Sequence, residues 1–136
     1  MRSHLIDTSI LCEALLRRDS TTAVVRQVIL SNTAATSIVV AGEALERVMG
    51  RNDYVLLRQQ LVQLLSVVYP YSIDLAIMER YASLRRTLRP PYGPGLIGDI
   101  DSLIAATAIE HGLTLVTMDG DFARVPGLDL LLVPRR

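Results

Sequence analysis

An α/β domain built on a parallel sheet is the fold class that this sequence predicts, from three observations. Short apolar runs alternate with longer amphipathic stretches along the chain, the pattern of strands feeding crossover helices. Two of those runs, Leu5-Ile6 and Leu113 to Thr117, lead straight into acidic residues, Asp7 in the first case and Asp119 and Asp121 in the second. The length of 136 residues lies at the mode for single domains, so one domain over 1–136 is expected.

His4-Leu5-Ile6-Asp7 reads as the first strand. A helix follows from Ser9 to Arg17 and a second from Thr21 to Leu30, separated by the polar break Arg18-Asp19-Ser20. Ala34 to Ser37 is a short strand. Val39 to Met49 is a helix carrying Glu43. Asp53 to Leu65 is another, because Leu56, Leu57, Leu61, Leu64 and Leu65 recur at helical spacing. Val67-Val68-Tyr69 is the next strand. Asp74 to Leu88 is helical, with Arg85, Arg86 and Arg89 near its C-terminal end, where positive charge complements the helix dipole. Pro90-Pro91-Tyr92-Gly93-Pro94-Gly95 breaks the pattern. Asp101 to His111 is a helix closed by Gly112, Leu113 to Thr117 a strand, and Leu130 to Val133 a last strand. Neither an internal repeat nor a low-complexity tract is present.

Composition narrows the function. Half of the residues are apolar and the mean hydropathy is +0.33, high enough to place some apolar surface in a partner interface. The amphipathic helices from Val39 to Leu65 are the candidates for that contact. No window reaches the roughly 18 uncharged apolar residues of a spanning helix, and Met1 to Asp7 does not read as a signal peptide. A soluble, cytoplasmic protein is therefore expected. The single cysteine, Cys12, leaves no internal disulfide or thiolate zinc site and reads as core filling. Fourteen basic residues balance fourteen acidic ones, so affinity for a nucleic acid has to come from a local basic groove, for which Arg85, Arg86 and Arg89 are candidates.

In open α/β sheets ligands bind beyond the carboxyl ends of the strands, which directs attention to Asp7, Asp119 and Asp121. Each also suits a plainer role as a helix N-cap or turn residue. Glu43 is harder to explain that way. It sits in Ile38-Val39-Val40-Ala41-Gly42-Glu43-Ala44-Leu45, and a charge buried among apolar residues needs a partner or a metal. Asp101 opens the very apolar helix of Ile100-Asp101-Ser102-Leu103-Ile104-Ala105-Ala106. Asp99, two residues earlier, cannot share its face, and is expected to be an N-cap or loop residue. Carboxylates converging from several elements repel one another unless a cation neutralises them, and a set of acids without histidine suits Mg2+ or Mn2+. Such an ion acidifies bound water and stabilises charge on a phosphoryl oxygen. His4 lies within the first strand and His111 at a helix end, so imidazole acid-base chemistry is not expected.

Four motifs in this order, Leu5-Ile6-Asp7-Thr8-Ser9, the Glu43 helix, Ile97 to Ala106 and Leu115 to Phe122, resemble the PIN-domain ribonucleases over nearly the whole chain. The ending Asp121-Phe122-Ala123-Arg124-Val125-Pro126-Gly127-Leu128 is similar to that of the VapC-type toxins of toxin–antitoxin pairs. The resemblance implies a three-layer sandwich with a mostly parallel central sheet of four to five strands flanked by helices. It further implies cleavage of RNA by metal-activated water, inhibition by an antitoxin protein, and a homodimer. Asp7, Glu43 and Asp101 would be metal-binding acids. The fourth would be Asp119, nearer the strand end, or Asp121, which would otherwise cap the short helix that follows. Thr8 and Thr117 match polar positions beside the acids, where a hydroxyl either orients a carboxylate or caps a strand end. Arg86 matches a helix position suited to a phosphate contact. The segment Arg89 to Gly98 departs from the short link of the family, and either shapes the RNA entrance or connects two helices.

Two other classes are compatible with parts of this pattern. A catalytically silent module of the same fold would bind RNA or protein without hydrolysis, but has no need to keep mutually repelling acids. A phosphatase with an aspartyl nucleophile at Asp7 would carry a second Asp two residues on, where Ser9 stands.

Overall fold

The computed structural model describes residues 1–16 and 23–134. The expected break at Arg18-Asp19-Ser20 and the start of the second helix at Thr21 lie outside the described residues. In order, the chain forms β1 (His4–Ile6), α1 (Thr8–Leu16), α2 (Ala23–Leu30), β2 (Ala34–Ser37), α3 (Ile38–Met49), α4 (Tyr54–Leu65), β3 (Tyr69–Tyr71), α5 (Leu75–Leu88), α6 (Asp99–Glu110), β4 (Thr114–Thr117) and β5 (Leu130–Leu132), with a short 3-10 helix at Gly120–Arg124.

The five strands make one sheet in the order β3-β2-β1-β4-β5, and every neighbouring pair is parallel. β1 is central because it is apolar on both faces: Leu5 and Ile6 are fully buried, as are Leu115 and Val116 of β4 beside it. Parallel strands covered by helices on both faces need such runs. Parallel pairing also brings all the C-terminal ends to one edge, so Asp7 and the residues after Thr117 emerge side by side.

One strand differs from expectation. The expected strand Val67 to Tyr69 lies two residues later, because the amides of Val67 and Val68 both bond back to the Leu64 carbonyl, at 3.1 and 2.8 Å, and close α4. The ladder begins only at Tyr69 and admits Pro70 opposite Thr36, which an edge strand tolerates since the missing N–H faces outward.

The helix ends follow local chemistry. Ser37 caps α3 by accepting from the Val39 amide at 3.3 Å, and Asp74 caps α5 by accepting from the Ile77 amide at 2.9 Å. Gly112, with φ of 64°, closes α6 in the left-handed region that glycine favours. α6 begins two residues earlier than expected: Gly98 is its N-cap and Asp99 its first helical residue. Asp99 is therefore neither cap nor loop, and its carboxylate takes the Arg85 guanidinium at 2.5 Å. With the Arg80–Glu110 pair at 2.7 Å, this contact fixes α5 and α6 as an antiparallel hairpin. The C-terminal end of α5 consequently lies beside the N-terminal end of α6.

Cys12 is part of the core, as expected. The apolar excess shows as exposed Met49, Val55, Leu56 and Val62 on α3 and α4. Among the described residues no helix is long and apolar enough to cross a membrane.

Leu115, in the strand between β1 and β5, is completely buried. Leu115→Ala should lower the stability by about 2–5 kcal/mol, the usual range for a leucine removed from a tight core, which urea unfolding will measure.

Candidate metal centre

Asp7 is the first residue beyond β1 and is 7 % exposed. Its Oδ1 accepts from the Ile10 amide at 3.2 Å and its backbone carbonyl accepts from the Leu11 amide at 2.9 Å, so it caps α1. The other carboxylate oxygen, Oδ2, accepts from the hydroxyl of the fully buried Thr117 at the end of β4. The plain role and the functional one thus coexist in one side chain. Sequence reasoning missed the Ile10 amide; the signal available for it was the strand-Asp-helix junction itself, since a capping aspartate binds the amide three residues on.

Thr117 does more than hold Asp7. Its oxygen also accepts from the Asp119 amide at 3.1 Å, which fixes the turn after β4. Asp119, and not Asp121 as the sequence suggested, then caps the 3-10 helix, its Oδ1 accepting from the Asp121 amide at 2.9 Å. The reason is the bond between the Asp119 amide and the Thr117 hydroxyl, after which the helix starts at Gly120 with Asp121 in its first turn. Asp121 is exposed and lies 3.6 Å from the Arg124 guanidinium.

Glu43 occupies the second turn of α3, half-buried, and accepts a hydrogen bond from the hydroxyl of Thr8. Both threonines therefore donate to an acid. Asp101 is delivered by α6, whose buried residues are Ile104 and Thr107 together with the small Ser102, Ala105, Ala106 and Ala108. The small residues let the helix approach closely.

The acids act on one another as like charges. Burial raises the Asp7 pKa; the bonds from Thr117 and Ile10 oppose this, and the charges of Asp119 and Glu43 push the same way as burial. Asp101 is pushed up to about 6 by burial first, then by the charges of Asp119, Glu43, Asp7 and Asp121 in that order. A first-turn carboxylate ordinarily gains from the helix dipole by about 0.3–1 kcal/mol, and here desolvation and repulsion outweigh that gain. Among the described residues no hydrogen-bond donor reaches the Asp101 carboxylate.

The structure thus brings Asp7, Glu43, Asp101 and Asp119 into one electrostatic cluster, with Asp121 at its margin. As the side chains lie, no three acids among the described residues close into a ready-made cage. The donors are nonetheless all carboxylate oxygens whose repulsion a hard divalent cation would relieve, and the set fits Mg2+ or Mn2+. Arg86 is placed elsewhere, exposed on α5 in a groove with Ser83, Thr87, Arg89 and Tyr92. His4 pairs with the Ser3 hydroxyl at 2.7 Å, and His111 stacks on Tyr71 at 3.8 Å between ring centres.

Comparison with known proteins gives a consistent picture. The PIN domain family model matches residues 4–128. The chain is similar to Ribonuclease VapC4 of Mycobacterium tuberculosis, 36% identical over 76 residues that cover 56% of this chain and 57% of that protein; it thus spans little more than half of that relative. Among solved structures it is similar to VapBC2 from Rickettsia felis bound to a DNA fragment from their promoter, with a TM-score of 0.83, 27% identity and coverage of 96% of this chain and 98% of that one. It is also similar to a toxin–antitoxin complex from Klebsiella pneumoniae, with a TM-score of 0.66, 26% identity and coverage of 95% and 96%.

The raised Asp101 pKa has a consequence for stability in metal-free protein. Unfolded, this side chain ionises near 3.8, and folded near 6. The folded state therefore binds the proton more tightly, and the stability this provides is complete below pH 3.8 and lost as the pH rises through 6. Asp101→Asn should remove that loss, making the variant more stable than the parent at pH 8 in EDTA, with the difference shrinking toward pH 4. Urea unfolding across this range measures it.

Proposed function

The chain belongs to the PIN domain family, and from that premise we propose that it is a divalent-metal-dependent endoribonuclease, the toxin of a VapBC-type toxin–antitoxin pair acting in the cytoplasm. One observation carries the chemistry: Asp101 is pushed up to about 6 by burial first and then by the like charges of Asp119, Glu43, Asp7 and Asp121, which converge on it. Keeping such repulsion in a folded site is costly unless a cation joins it.

In this reading Asp7, Glu43, Asp101 and Asp119 hold the metal and are the catalytic acids. Asp119 is favoured over Asp121 because its charge is the strongest of the acids acting on both Asp7 and Asp101, whereas Asp121 acts most weakly on Asp101. Asp121 serves at the margin. A bound divalent ion supplies an acidified water and a counter-charge for the phosphoryl oxygen. The protein's own groups supply position. Thr117 and the Ile10 amide fix the Asp7 carboxylate from two elements, and Thr8 fixes Glu43 from α1, so that neither side chain has to be ordered when substrate arrives. Repulsion of the RNA phosphate by uncompensated acids is the barrier that the cation removes.

RNA as substrate rests on the likeness to Ribonuclease VapC4, and the antitoxin partner on the likeness to the Klebsiella toxin–antitoxin complex. The exposed Met49, Val55, Leu56 and Val62 support apolar contacts by α3 and α4 with an antitoxin and with a second copy of the chain. One domain over 1–136 carries all of these functions in this reading.

Purified, partner-free protein should cut structured RNAs in Mg2+ or Mn2+ and not in EDTA. Asp7→Asn should lower the rate by on the order of a hundredfold or more, the scale for losing a group that stabilises transition-state charge, with the fold retained by circular dichroism. Metal binding without cleavage of any RNA would favour a silent binding module instead. Sedimentation at micromolar concentration should report a dimer, and a monomer would remove that part of the proposal.

A further inference from the structure

The last turn of α5 and the loop after it form a surface that the metal centre does not use. A groove of about 710 Å³ is lined by Ser83, Arg86, Thr87, Arg89 and Tyr92. Arg80, Arg85 and Arg124 are each paired with a carboxylate. Among the described residues Arg86 and Arg89 have no such partner, and two unneutralised guanidinium groups one helical turn apart form a local positive site.

Tyr92 stands over the same groove and is 82 % exposed. It is not on a loose loop. The amides of Tyr92 and Gly93 bond to the Arg89 carbonyl at 2.9 and 3.2 Å, and that of Gly95 to the Leu88 carbonyl at 2.8 Å. Gly93 is packed so tightly against α5 that a Cβ there would come 2.1 Å from the Thr87 carbonyl oxygen. The loop is therefore folded back on the end of the helix, and it holds an aromatic ring out to solvent where burial would ordinarily be favoured.

A pinned, exposed ring beside two unpaired guanidinium groups is the combination that binds single-stranded nucleic acid, with bases stacking on the ring and phosphates on the cations. Its location fits the same ligand. Because α5 and α6 are antiparallel and Arg85 holds Asp99, the groove lies toward the end of the hairpin from which Asp101 enters the acid cluster.

We propose that the Arg86, Arg89 and Tyr92 groove is a docking site for single-stranded RNA flanking the bond that is cut. This rests on the ribonuclease reading for its substrate, and the test separates the two. A fluorescein-labelled single-stranded oligoribonucleotide is titrated in Mg2+ with the Asp7→Asn chain, which leaves it uncut, and with the same chain carrying Tyr92→Ala, Tyr92→Phe or Arg86→Ala with Arg89→Ala. The same groove substitutions are assayed for cleavage in the parent.

Tyr92→Ala should weaken binding by roughly tenfold, as expected for one stacked base, and Tyr92→Phe should retain it. The double arginine variant should weaken binding and reduce the salt dependence of log K by about 1.4, or 0.7 for each of two phosphates on a single strand. Gly93→Ala, which displaces the loop, should act like Tyr92→Ala. Weakened binding in these variants supports the docking site even if the parent cuts no RNA, in which case only the nuclease reading falls. Affinity and salt slope unchanged, in a parent that cuts RNA, overturn the docking site alone. A parent that neither binds nor cuts RNA overturns both. If the substitutions leave RNA affinity intact and weaken antitoxin binding, the groove is a protein contact and the proposal is wrong.

Discussion

The carboxylate of Asp7 is buried at the end of the central strand, and each of its oxygens is claimed by a donor from a different element: the Ile10 amide of α1 on one side and the Thr117 hydroxyl of β4 on the other. Most of the site depends on this arrangement. The first bond starts α1, the helix that carries Thr8 and through it Glu43. The second joins the ends of two neighbouring strands and, through the Asp119 amide on the same hydroxyl oxygen, sets the turn that presents Asp119. A charge that would be expensive to bury alone becomes the link between three elements.

The fold supplies the rest by geometry. Parallel pairing of β1 and β4 puts their C-terminal ends together, and the small residues of α6 let Asp101 approach them from a helix that would otherwise stand off. Asp101 receives no hydrogen bond in compensation. The acids therefore divide into three whose carboxylates the protein itself holds by hydrogen bonds, Asp7, Glu43 and Asp119, and one, Asp101, that it leaves exposed to the repulsion of the others. That division is what a metal-binding centre requires: some ligands positioned in advance, and enough unrelieved charge to attract the ion.

Much of this was legible in the sequence, for identifiable reasons. Strand-end acids and an acid inside an apolar helix are visible as violations of the hydrophobic pattern, so Asp7, Glu43 and Asp101 stand out without any structure. The roles of Thr8 and Thr117 were half legible: their neighbourhood was clear, and the hydroxyl directions were not. What failed was set by hydrogen bonds between residues whose spacing is not periodic. The Val67 and Val68 amides were spent on α4, which moved β3 to include a proline. The turn after Thr117 moved the capping role from Asp121 to Asp119. The ion pair of Arg85 with Asp99 crosses fourteen positions of sequence and could be found only from the hairpin. The loop at 90–98 was recognised as a loop, but the tight seat of Gly93 on Thr87, which orients Tyr92, depends on backbone contacts that composition does not reveal.

The account turns on whether the four acids jointly hold a divalent ion. Titrating Mn2+ into the protein and reading free Mn2+ by electron paramagnetic resonance tests this without substrate or partner. The account predicts that the free-ion signal is depleted by the parent at neutral pH, recovered on adding excess Mg2+, and undepleted in a folded Asp101→Asn variant. Equal depletion by the parent and the variant, or none by either, would contradict it.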